Sequence, residues 1–160
     1  MRRTSLLVIM SFLVGLGIGL FARSTRTRYP ALPPIESLAV LPLESLSGDP
    51  KHDNFAEGMT EALTTELTKI SRLRVISPQS TMHYSATQES AQQIAHELKV
   101  DSIVEGSVFR VGNQVRITLR LVHAPTGRQL WAGTYQGKLG EIPPLQSQAA
   151  RAIANEIPTR

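Results

Sequence analysis

The sequence predicts a mixed α/β (α+β) domain: a mixed five-stranded sheet with helices mainly on one face, preceded by one amino-terminal transmembrane helix. Three observations carry this. Strand and helix patterns alternate up to about residue 100, the apolar period then drops to two across two turn signals, and an 18-residue uncharged apolar run opens the chain. Strands joined by helices pair in parallel and hairpins pair antiparallel, so the order β-α-β-α-β-β-β-α requires a mixed sheet.

The first strand, Leu38 to Leu43, is apolar at both alternating positions, as expected for an interior strand covered on both sides. Asp53 is placed to cap a helix whose Phe55, Met59, Leu63, Leu67 and Ile70 recur every three or four residues, a core stripe. Leu73 to Ser77 reads as a short strand, and Ser77-Pro78 as the entry to a brief helix. In the next helix Ser90 and Gln93 match the capping box, while Ile94 and Leu98 point inward. Ser102 to Arg110 is a strand, "VGN" a turn, and the strand after it sets Val115, Ile117, Leu119 and Leu121 against Arg116, Thr118 and Arg120. One face of that strand is therefore wet. "APTG" turns the chain into Gln129 to Tyr135, and a last helix repeats Leu145, Ala149, Ile153 and Ile157 every four residues. Trp131, the single tryptophan, is expected to be largely buried. The competing placement sets it with Tyr135 on the open side of the sheet.

The net charge of +4 comes from the amino terminus. Arg2, Arg3, Arg23, Arg26 and Arg28 precede every acidic residue, and without them 12 basic residues face 13 acidic ones, so a nucleic-acid-binding stripe is excluded as a reading. The run Ser5 to Ala22 would span roughly 27 Å as a helix, enough for a hydrocarbon core. Arginines flank it on both sides, and a small-residue cleavage site is hard to place. Residues 1–28 are thus read as an uncleaved signal anchor in the inner membrane, with secretion to the periplasm after cleavage as the alternative. The flanking charges leave orientation close to a tie. Gly15 and Gly19 form a small-xxx-small pair through which two such helices could meet as a homodimer. Residues 29–36 are a proline-rich linker and 37–160 the folded domain.

The loop Glu44 to Asp53 follows a buried strand and precedes a helix, where α/β proteins often hold phosphates. Its single glycine, Gly48, matches neither the dinucleotide nor the Walker pattern, and Asp49 opposes an anion that Lys51 alone would attract. Ser47, Gly48, Asp49 and Lys51 remain the residues that a nucleotide or small-molecule sensor would use. His52, His83, His96 and His123 lack metal-ligand spacing, there is no nucleophile elbow, and the chain has no cysteine. Neither catalytic residues, a cofactor nor a metal is expected.

"SLAVLPLESLSGDPKHDNFAEGMTEALTTELTKISRLRVIS" and "IAHELKVDSIVEGSVFRVGNQVRITLRLVHAPTGRQLWAGTY" together resemble the amino-terminal domain of the periplasmic protein TolB. They are more similar to the TolB-like or FlgO-like domain of bacterial membrane signalling proteins. The resemblance runs from Ser37 nearly to Ile157. It implies a mixed α/β domain without catalytic residues, which in larger proteins follows a cyclase, kinase or DNA-binding domain. An adenylate cyclase name would therefore describe a domain outside these 160 residues. Two departures stand out: Lys99 occupies a helix stop that is usually glycine, and Gln136-Gly137 replaces an acidic-basic pair.

The expected function is a membrane-anchored, non-catalytic protein-binding module of the bacterial envelope, facing the periplasm, in signalling or envelope assembly. Glu105, Arg116, Thr118 and Arg120, on the wet face of two neighbouring strands, are the expected partner-binding residues. The alternatives are the loop sensor and a structural flagellar or outer-membrane-associated component.

Overall fold

The computed structural model describes residues 34–47, 53–70, 72–85 and 87–157. The proposed anchor and most of the linker lie outside them. Among the described residues, no helix is long and apolar enough to cross a membrane.

The chain forms β1 (Ser37–Val40), β2 (Glu44–Ser45), α1 (Asp53–Ile70), β3 (Arg74–Val75), α2 (Pro78–Thr81) and α3 (Ala91–Leu98). After these come β4 (Ser102–Val111), β5 (Gln114–His123), β6 (Arg128–Lys138) and α4 (Ile142–Glu156). The spatial order is β3-β1-β4-β5-β6, with β2 also on β4. β1 runs parallel to β3 and β4, and β5 runs antiparallel to both β4 and β6, so the sheet is mixed as the element order demands.

The sheet has six strands, not five, because β2 is a second pairing segment where a loop was expected. Between Val40↔Val104 and Glu44↔Ser107 the chain advances four residues while β4 advances three, which is a bulge centred on Pro42. Proline has no N–H to give the ladder, and the displaced Leu43 amide instead donates to Thr60 Oγ1 of α1 at 3.0 Å. The strand expected over Leu73 to Ser77 shrinks to Arg74–Val75 at the sheet edge.

Both faces of β1 are buried, as its sequence requires. Leu38 and Val40 join Met59, Leu63 and Leu67 of α1 and Ala149 and Ile153 of α4 in the larger core. Ala39 packs instead with Tyr84, Ile94, Ala95 and Ile103 in a smaller core on the opposite face. Two long helices thus cover one face, and α3 with the turn Met82–Tyr84 covers one end of the other. The expectation of helices mainly on one face is refined to that extent. α3 carries the capping box formed by Ser90 and Gln93, and it stops at Lys99 with φ 53°, the left-handed region that costs a side-chain-bearing residue about 1 kcal/mol.

Trp131 shares a face with Leu121, its cross-strand partner, and so lies on the helix side. It is half-buried rather than largely buried, its ring folded over Gly133, where a Cβ would collide with the indole. The open-side placement of Trp131 and Tyr135 is overturned by the same pairing, since Ile117 and Tyr135 are opposed on the helix side.

The entry to the domain is clamped by one carboxylate. Asp101 Oδ2 accepts from the amides of Glu36 and Ser37, both at 2.9 Å, and from the Ser37 hydroxyl at 2.7 Å. The Asp101 amide donates back to Ser37 Oγ at 3.0 Å. Burial, the largest single influence, pushes this carboxyl upward, but the three hydrogen bonds and nearby Arg74 together outweigh it and hold it below its ordinary value.

Two measurements probe this frame. A depressed carboxyl stabilises the fold above its unfolded-state pKa, and that stability is lost as pH falls through the lower folded-state value. Asp101→Asn should therefore cost about 1–3 kcal/mol in urea unfolding at neutral pH, and the gap from wild type should close on acidification. A pH-independent gap would rule out the ionised clamp. At Gly106 a Cβ would run into the Thr118 carbonyl, whereas at Gly58 in α1 there is nothing within 4 Å. Gly106→Ala should cost about 1–3 kcal/mol or more, and Gly58→Ala should gain about 0.5–1 kcal/mol, read by thermal melting.

Candidate functional site on the open half of the sheet

Side chains alternate along β4, so Val104 and Val108 enter the larger core while Glu105, Ser107 and Phe109 face the opposite way. β5 follows suit, with Arg116, Thr118 and Arg120 on that same opposite face. The register brings them into direct pairs: Glu105↔Arg120, Ser107↔Thr118 and Phe109↔Arg116. The four expected residues therefore share one surface, the part of the sheet that α3 leaves uncovered.

Glu105 and Arg120 form an ion pair at 3.2 Å. With the Arg120 side chain 53% exposed, such a pair is worth only about 0–1 kcal/mol. Arg116 is exposed and has no ion pair among the described residues. Its neighbours across the strands are Phe109 and the uncharged Gln136.

Two adjoining hollows shape this surface. The larger, about 810 Å³, lies between the sheet and the smaller helical layer, with Tyr84 and Ile94 on one wall and Glu44, Glu105, Thr118 and Arg120 on the other. The smaller, about 360 Å³, is lined by Leu46, Ser107, Phe109, Arg116 and Thr118. Ser107 and Thr118 border both.

Sequence reasoning missed the apolar part of the site. Leu46, Phe109 and Val111 are 50%, 40% and 59% exposed. Phe109 and Val111 are in phase with Glu105 on β4, so the period-two pattern did hold the signal.

The Tyr84 hydroxyl donates to Glu97 at 2.7 Å, which pushes the phenol up to about 12 and keeps it protonated at physiological pH. His123 is buried, its Nδ1 2.8 Å from Thr126 Oγ1. Among the described residues, no three His, Asp or Glu side chains gather to hold a metal. Of the loop residues, Ser47 accepts the Arg110 amide through its hydroxyl at 2.8 Å, a contact that secures β4. Gly48, Asp49 and Lys51 lie outside the described residues.

A mixed sheet with helices on both sides and one bare, charged and partly apolar half-face makes this a small α+β domain. No family model matches the sequence. A curated protein of Rhizobium meliloti (strain 1021) carrying the name adenylate cyclase 3 is 38% identical over 128 residues, which is 80% of this chain and 22% of that protein. The chain thus spans about a fifth of the length of the curated relative it matches. Among solved structures, lipoprotein GNA1162 of Neisseria meningitidis superposes with a TM-score of 0.54 at 21% identity, over 75% of this chain and 97% of that one. TolB from Acinetobacter baumannii gives a TM-score of 0.56 at 12% identity, over 78% of this chain and 28% of TolB. These likenesses establish the fold, and the TolB part of the resemblance holds at that level.

The site separates into residues that hold the fold and residues that do not. Ser47→Ala, which strips the Arg110 amide of its acceptor, should cost about 0.5–1.5 kcal/mol in chemical denaturation. Arg116→Ala should stay within about 0.5 kcal/mol of wild type. A large loss at Arg116 would make it a structural residue.

Proposed function

We propose that this chain is a non-catalytic protein-binding module of the bacterial cell envelope, of the TolB-like or FlgO-like kind, held at the inner membrane by residues 5–22 with its domain in the periplasm. The observation that carries the reading is the uncovered half-face of the sheet, where Glu105, Arg116, Thr118 and Arg120 share one surface with exposed Phe109 and Val111. Rigid, half-open surfaces of this sort suit docking of another domain. The shared fold with a lipoprotein and with TolB supports an envelope setting. The relative named as an adenylate cyclase, of which the matched part is about a fifth, supports a role as one module within a signalling system. The loop-sensor reading gains no support from Ser47, whose hydroxyl is engaged by the Arg110 amide.

The test is site-specific photo-cross-linking in intact cells. A benzophenone side chain at Thr118 should give a discrete protein adduct, while one at Gln148, exposed on α4 across the molecule, should not. Arg116→Glu with Arg120→Glu should remove the adduct, and Asp49→Ala should leave it. Absence of an adduct at Thr118, or saturable ATP or GTP binding by calorimetry that Lys51→Ala abolishes, would sink the proposal.

A further inference from the structure

Resting on the protein-binding reading above, we infer that the occupant of the smaller hollow is an amphipathic helix of a partner protein, with acidic residues flanking its apolar stripe. The sheet itself shows what it accepts. α1 lays Met59, Leu63 and Leu67 on one face, and α3 lays Ile94 and Ala95 on the near end of the other. Beyond α3 that layer stops, and there Leu46, Phe109 and Val111 stand exposed. Among the described residues these are the large apolar side chains left most open to water, and they gather at one end of one face.

The chemistry of the occupant follows from the surroundings. A strand would gain little here, because a sheet face presents side chains while the backbone groups that a strand needs are at the edges. A helix presents a single apolar stripe whose i and i+4 residues lie about 6 Å apart, close to the roughly 7 Å between alternate residues of a strand such as Phe109 and Val111. Arg116, exposed beside Phe109 and without an ion pair among the described residues, calls for a carboxylate next to that stripe. A lipid surface fits less well. Leu46 and Phe109 line a concavity rather than a protrusion, which a flat bilayer surface would not fill.

The chain has no cysteine, so Val111→Cys gives one labelling site for a polarity-sensitive fluorophore on the full-length protein reconstituted in neutral vesicles. The probes are two synthetic helical peptides with the same leucine stripe, one flanked by glutamates and the other by lysines. The glutamate peptide should blue-shift the emission and bind about tenfold more tightly than its twin, and Arg116→Glu should reverse that order. Phe109→Ser should weaken both peptides by about tenfold. Equal affinities, or an order that Arg116→Glu leaves unchanged, would overturn the inference. So would a Phe109-dependent shift produced by phosphatidylglycerol vesicles with no peptide present, which would make the face a lipid contact. If neither peptide binds while the Thr118 adduct persists, only the helical, acidic occupant is lost. If the adduct is missing too, the protein-binding reading falls with it.

Discussion

The register of β1 against β4 is the constraint on which the rest of this structure depends. Side chains alternate along a strand, so a slip of one residue would exchange every face of β4. It would drive Glu105 and Phe109 into the core and turn Val104 and Val108 out. Leu38 is held opposite Ser102 by the clamp at Asp101 and Ser37, which also includes the Ser102 hydroxyl donating to the Ser37 carbonyl at 3.1 Å. Asp101 further anchors the turn after β5, because its carbonyl accepts the Ala124 amide at 2.9 Å. One residue thus sets the parallel half of the sheet and steadies the antiparallel half. The placement of the candidate face follows from that register.

What was legible in the sequence was whatever local chemistry decides. The double burial of β1, the Ser90 and Gln93 capping box, the turn at Gly112 and the wet alternation of Arg116, Thr118 and Arg120 each depend on neighbours in the chain. The missed features depend on partners far away. β2 escaped notice because the expected strand ran on through Pro42 to Leu43 and the loop was set from Glu44, whereas the bulge that splits it there leaves the Leu43 amide to Thr60, 17 residues on. The stripe of α3 announces that Ile94 is buried but carries no information on which side of the sheet it lands. Trp131 stays half-buried because β6 is the last strand of the sheet and pairs on one side only, a placement that the chain around Trp131 does not announce.

At the candidate site the charged members were found and the apolar ones were not. Charges on an alternating strand declare an exposed face, whereas Leu46, Phe109 and Val111 pass for core when taken one at a time. Exposing three such side chains is not required by the fold. The face they occupy could have carried threonines, as β6 does at Thr134 opposite Thr118. Scattered exposed apolar residues are ordinary, but a cluster beside a hollow is the pattern on which the proposed interaction surface rests.

Magnitudes then limit how small the contact can be. Full burial of a Leu, Phe or Val side chain is worth about 1.5–3 kcal/mol, and these three are already about half covered, which leaves roughly 2–4 kcal/mol between them. Association alone costs about 4–15 kcal/mol in lost translational and rotational freedom. The smaller hollow cannot hold a partner by apolar contact, and an exposed Arg116 pair adds no more than about 1 kcal/mol until it is shielded from water. A stable partner must therefore cover more of the surface, and among the described residues the concavity continues past Ser107 and Thr118 into the larger hollow. There Glu105 and Arg120 already satisfy each other, so the contact must either lie over an intact ion pair or replace it with equally good partners. Under the proposed docking, the smaller hollow would supply the anchor, and the Glu105–Arg120 pair, which contributes little to folding, would supply selectivity by penalising any partner that buried it unmatched.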